Sequence, residues 1–256
     1  MAWRSISCDA KTAGWGCIRH PGSALACHRL NPLFGSSTFM TNPTDSIEFA
    51  SLLCSRLCHD LLSPVGALNN GLELMADETD PEMRQRCLDL LADSAKTSAN
   101  KLKFFRLAFG SAGGFGDAVP THEARVAIEG MFSGAGRVKI GWLVEDDMLD
   151  KLPVKVLLNL ALIAGDALVR GGQLDIGAEK RPGVTEIVVR AEGPKLVLDP
   201  DLRAALAGAL PPEGLASRTA AAWMVRSLVT NAGGDIALSP AGEPMLLFGA
   251  SIPERG

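Results

Sequence analysis

From residue 46 to 77 apolar side chains recur at three- and four-residue steps. They are Ala50, Cys54, Leu57, Leu61, Leu68, Leu72 and Met75, with Val65 between Leu61 and Leu68. That spacing predicts one long amphipathic helix with a heptad-like seam. Asp45 stands where a cap belongs and Glu48 follows three residues later, as in a capping box. The run 76–81 (ADETDP) reads as a turn; Thr79 or Asp80 can cap the next helix, with Pro81 at its first position. Over 81–109, Leu88, Leu91, Ala95, Ser98, Leu102, Phe105 and Phe109 again step by three and four. Two long helices joined by a short turn form an αα-hairpin. Phe104 and Leu90 widen its apolar surface beyond what two helices can cover. A second copy of the chain covers it most cheaply, which predicts a homodimer built on a four-helix bundle.

The glycine-rich run 110–118 breaks the helical pattern and reads as a linker. Beyond it helical and strand periods alternate. Helices are predicted near 120–132, 153–169, 201–208 and 216–232, and strands near 137–144, 173–179, 184–191, 235–239 and 245–252. The expected fold class is α+β: the hairpin at 45–110, then an α/β sandwich at 118–256 with helices on a sheet. Residues 1–44 lack any period and are expected to be a disordered extension. Met40, opening MTNPTDSIEF, reads as a natural start. Cys17, His20, Cys27 and His28 match no standard zinc spacing, so no metal is expected there.

Composition narrows the function classes. A net charge of −4 argues against a nucleic-acid binder, which would carry a basic patch. No run of about 18 apolar residues exists, so no transmembrane helix is expected. Six cysteines, two of them inside the first helix, read as reduced thiols in a cytoplasmic protein.

The chemistry concentrates in CHDLLSPVGAL, residues 58–68. With Leu57 as zero, Leu61 falls at about 40°, Cys54 at about 60° and His59 at about 200° around the helix. The imidazole therefore points away from the seam. Arg56, Ser63, Gly66, Leu52 and Leu62 share this outer side, and the two leucines suggest a docking surface. Pro64 has no N–H and crowds the carbonyl of Asp60, so a kink is expected one turn beyond His59. Cys58 and His59 point about 100° apart, so they form no catalytic dyad, and Cys54 with Cys58 makes a poor metal set with His59. An outward imidazole that does nothing and a phosphoacceptor imidazole both remain. Neutral imidazole is a good nucleophile near pH 7. An acidic neighbour such as Asp60 can fix its tautomer.

His59-Asp60-Leu61-Leu62-Ser63-Pro64 resembles the H-box of histidine kinases, where an acidic residue follows the phosphoacceptor histidine and a proline stands five positions on. The C-terminal half is similar to the kinases' ATP-binding domain. LLNLALIAGDAL (157–168) resembles the N-box helix, and GLASRTAAAWMVRSLVTNAGGDIAL (214–238) the G2-box helix and its following strand. The nucleotide chemistry is missing. Asn159 matches the first N-box asparagine, but Ile163 stands at the second and cannot hold Mg²⁺. The Asp-x-Gly-x-Gly motif aligns with Ala191-Glu192-Gly193-Pro194-Lys195, and the phosphate loop shrinks to Gly214.

This combination resembles the alphaproteobacterial ChpT family of histidine phosphotransferases. The resemblance implies a homodimer that carries a phosphoryl group on His59, from the receiver aspartate of a hybrid histidine kinase to receivers of downstream response regulators. It implies no bound cofactor, no ATP, and Mg²⁺ supplied by the receiver. His59 is the expected nucleophile and Asp60 its orienting partner. Arg56 and Ser63 are candidate phosphoryl or receiver contacts, and Leu52, Leu62 and Gly66 candidate docking surface. Rival readings are a sensor-kinase fragment, a binding-only antikinase and a structural dimerisation module.

Overall fold

The computed structural model describes residues 43–110, 117–134 and 137–254. The expected extension, Met40, the Cys17/His20/Cys27/His28 grouping and most of the linker lie outside the described residues. The two predicted long helices are α1 (Pro43–Asp77) and α2 (Pro81–Ala108). α1 begins at Pro43 rather than 46, so Asp45 falls in its first turn and is not its cap. Proline's preset φ suits such a start. α2 begins as expected: Asp80 accepts from the Glu82 N–H at 3.3 Å and Pro81 is the first helical residue.

The inner row of α2 departs from the expected stripe. Cys87 and Ser94 are buried, while Leu88 and Leu102 are exposed. Leu91 meets α1 at Gly71, where a Cβ would come within 3.0 Å of it, and Lys101 bonds to Asp60 of α1 about three turns further along. The row facing α1 is therefore Cys87, Leu91, Ser94, Ser98, Lys101 and Phe105, about 100° around from Leu88. Small side chains let the two backbones approach closely, and the larger leucines are left on the flank.

The C-terminal half follows its pattern closely. α3 (Thr121–Met131) leads to β2 (Val138–Trp142), and α4 (Lys151–Ala167) to β4 (Gly172–Arg181) and β5 (Val184–Glu192). Then come α5 (Pro200–Ala207), α6 (Ala220–Asn231), β6 (Asp235–Leu238) and β7 (Met245–Pro253). Two short strands unforeseen in the pattern, β1 (Ala118–Pro120) and β3 (Met148–Asp150), pair antiparallel and brace α3 and α4. The five-stranded sheet has the order β2-β4-β5-β7-β6 and is antiparallel except for the β2/β4 pair. A positive φ of 80° at Gly183 makes the β4–β5 turn.

Alternate residues of the sheet (Leu174, Ile176, Ile187, Val189, Phe248, Ile252) turn inward. α4 is almost wholly apolar from Val154 onward because it is buried from several sides, by β5, α2, α3 and α6. The core does not stop at the sandwich. Phe104, Phe105, Leu107 and Ala108 of α2 belong to the same buried cluster as α4 and the sheet, with Leu57 of α1 packed against it. The Phe49 and Trp223 rings meet at 4.7 Å and join the start of α1 to α6. The middle of α1 is thereby set beside the C-terminal end of α4.

Candidate functional site

His59 stands on α1 with 83% of its side chain exposed. Its Nδ1 lies 3.2 Å from Asp60 Oδ1. An ionised carboxylate can only accept, so this pairing keeps a proton on Nδ1 and leaves the Nε2 lone pair free toward solvent. Asp60 itself is only 14% exposed. Its Oδ2 accepts from Arg56 Nε at 2.8 Å, one helical turn back. Arg56 continues to Asp166 Oδ2, at 2.7 Å from its Nη2, in the last turn of α4. The chain of contacts is His59, Asp60, Arg56, Asp166. Burial alone would lower the Arg56 pKa, but Asp166 and Asp60 together raise it. Asp166 keeps about half its side chain in solvent yet is hemmed in by protein, which pushes its carboxyl up, with Arg56 opposing.

Pro64 sits inside α1, buried, and the helix runs on through it. The Asp60 carbonyl loses its helical donor at that point. Lys101 of α2 replaces it, with Nζ 2.7 Å from Asp60 O. Lys101→Met leaves that carbonyl without its donor and is expected to cost about 1–3 kcal/mol in denaturant unfolding. In a Pro64→Ala background, which restores a backbone N–H, the cost of Lys101→Met should shrink by at least half. Equal costs in the two backgrounds would refute the substitution of one donor for the other.

The other expected contact residues lie around His59. Leu62 is 69% exposed and Ser63 is exposed, while Leu52 is half-buried. Gly66 opens onto free space, with nothing within 4 Å of where a Cβ would stand. Arg56 is placed differently from the outward contact expected of it: its guanidinium is largely buried and already holds two carboxylates. Lys101 and Asp166 were not foreseen. Asp166 had a signal, being the only charged residue between Lys155 and Arg170. Among the described residues no three His, Cys, Asp or Glu side chains gather to hold a metal ion. No described helix is long and apolar enough to cross a membrane.

Residues 121–244 match the family model of the histidine phosphotransferase C-terminal domain. The chain is 32% identical to protein phosphotransferase ChpT of Brucella abortus (strain 2308) over 201 residues, 78% of this chain and 94% of that one. It belongs to the histidine phosphotransferase family. The fold is similar to the solved structure of a bacterial phosphotransferase, with a TM-score of 0.70 and 31% identity, over 80% of this chain and 96% of that one.

In this phosphotransferase the kinase-like positions of the C-terminal half serve packing. Asn159 is fully buried, and its Nδ2 donates to Ala108 O at 3.1 Å and Lys155 O at 2.8 Å. It satisfies a carbonyl in the last turn of α2, one of those a helix end leaves open. Ile163 and Ala191 are buried in the same core. Gly193 packs so closely on the Gly171 carbonyl that a Cβ would clash. The segment after it is tied to the end of α4 by the Leu168–Leu196 bridge and by Val197 N–H donating to Ala167 O at 3.0 Å. Leu196, Leu198, Leu202 and Leu210 then pack on the core.

Proposed function

We propose that this phosphotransferase carries a phosphoryl group on His59, between the receiver aspartate of a hybrid histidine kinase and the receivers of response regulators, without using ATP. The observation that carries the reading is the exposed imidazole whose Nδ1 is engaged by Asp60, leaving Nε2 outward. Nε2 attacks the phosphorus of a receiver aspartyl phosphate in line. The P–O bond breaks, the aspartate leaves as carboxylate, and a P–N bond forms. The product imidazolium keeps its Nδ1 proton, and the charge of Asp60 stabilises it. Positioning and charge supply most of the rate in such a transfer. The receiver's acidic pocket brings the Mg²⁺, and Leu62, Leu52, Ser63 and Gly66 form the surface on which it docks. Onward transfer is the same step reversed.

Two further features fit this reading. The core packing of Asn159, Ile163, Ala191 and the Leu196–Leu210 leucines, at positions where the kinases hold nucleotide, supports a phosphoryl group that comes from another protein. The flank of the hairpin away from the sandwich exposes Val65, Leu72, Leu88 and Leu102, which a second copy would bury as a four-helix bundle in a cytoplasmic homodimer.

The test is to mix the purified chain with a ³²P-phosphorylated receiver domain of a hybrid histidine kinase. Label is expected to move onto this chain as acid-labile phosphohistidine, and then to a second, unlabelled receiver. Receiver binding without any transferred label would leave a docking protein in place of a relay.

A further inference from the structure

We propose that Asp166, on α4 of the C-terminal half, is a positioning residue for phosphoryl transfer at His59, acting through Arg56 and Asp60. The inference rests on His59 being the phosphoacceptor. It gives the half that resembles an ATPase a part in the chemistry on the hairpin.

Asp166 is an unusual residue for its place. It sits between the buried Gly165 and Ala167 in the last turn of α4, where the negative end of the helix disfavours an anion. Its compensation comes from another element, the Arg56 guanidinium at 2.7 Å. Arg56 in turn is held from two sides, by Asp166 and by Asp60. A guanidinium held on one side only could swing into solvent or onto the phosphoryl group. Held on both, it fixes Oδ2 of Asp60 and leaves Oδ1 for the imidazole. Lys101 pins the backbone of the same residue from α2. Three helices thus define the plane of one carboxylate.

Charge works in the same direction. Arg56 and Lys101 carry two positive charges and Asp60 and Asp166 two negative ones. Paired with Arg56 alone, Asp60 would be largely neutralised and a weaker partner for the imidazolium. Asp166 shares the guanidinium, so more of the Asp60 charge faces His59. A group that acts through another group in this way tunes orientation and basicity without touching the phosphoryl group, as outer-shell partners of histidine ligands do.

The experiment loads the full chain with phosphoramidate. The donor's P–N bond breaks, a P–N bond to Nε2 forms, and the leaving nitrogen departs as ammonia. Asp166→Asn is expected to load His59 about tenfold more slowly than wild type at an unchanged melting temperature. Asp166→Glu should recover most of that rate. Imidazole ¹⁵N shifts should report an Nδ1–H tautomer in the wild type and a mixture in Asp166→Asn. Adding Asp166→Asn to Arg56→Gln should slow loading no further. Equal rates and equal tautomers in wild type and Asp166→Asn, or an additive effect on top of Arg56→Gln, overturn the proposal while leaving the phosphoacceptor reading standing. If wild type takes no label at His59 from phosphoramidate or from a phosphorylated receiver, both fall.

Discussion

With His59 replaced by alanine, the chain should fold as before and all but lose its ability to take a phosphoryl group. The imidazole is 83% exposed and its described bond is the one to Asp60, so its loss from the fold is small. Alanine is also the better helix former. The melting temperature is therefore expected to stay within about 2 °C of wild type. Transfer is another matter. Loss of the nucleophile removes the step itself, and loading from a phosphorylated receiver should fall by about 10³-fold or more. Cys58 cannot stand in, because it points about 100° away around the helix. His122 is the other histidine among the described residues; it lies at the start of α3 with its Nε2 3.6 Å from Glu123 Oε1. Acid-labile label persisting on His59→Ala would move the phosphoacceptor to such a site and sink the assignment of His59.

The outward direction of His59 was legible because a helix repeats every 3.6 residues and the seam residues define its inner side. The α4 helix was legible because a helix buried from several sides is apolar over nearly its whole length, and the long strands because every second residue turns into the core. What the pattern hid were features set by partners distant in sequence. Arg56 looked like an outward cation because nothing nearby says that Asp166, 110 residues on, will meet it. The proline at 64 implies a lost donor to the Asp60 carbonyl, but no local pattern says that Lys101, 41 residues from Asp60, will replace it. Cys87 and Ser94 were passed over for Leu88 and Leu102, since apolar rank favours leucine. Close helix packing favours small side chains instead, and the Gly71–Leu91 approach shows that this preference won. Strands β1 and β3 have three residues each, too few to display an alternation.

The glycine-rich run reads as a divider between a hairpin and a sandwich, yet the buried core runs across it. Phe105 lies at the crossing, 1% exposed. Its ring stacks on Phe109 at a centroid distance of 5.1 Å and meets Phe104 edge-on at 5.7 Å. Phe105→Ala removes a large buried ring and leaves a cavity that three packed elements cannot all collapse into. The expected cost is about 3–5 kcal/mol, a large share of the total stability of roughly 5–15 kcal/mol that a folded protein has. The loss should not be confined to the hairpin. Because Phe105 joins the cluster that includes Leu157, Leu160 and Phe248, hairpin and sandwich should unfold together in one transition moved to lower denaturant. With Trp3 and Trp15 replaced by phenylalanine in every sample, tryptophan fluorescence reports Trp142 and Trp223 in the sandwich and its junction, and helical circular dichroism is weighted to α1 and α2. The two probes should give one midpoint in wild type and one, lower, in Phe105→Ala. If the helical signal is lost first while fluorescence keeps the wild-type midpoint, the hairpin has its own stability and the shared core does not couple the halves. The same substitution bears on transfer, since α2 carries Lys101 one turn before Phe105. Below its unfolding midpoint the variant should load His59 several-fold more slowly, because that ring anchors the helix whose Lys101 holds the Asp60 carbonyl.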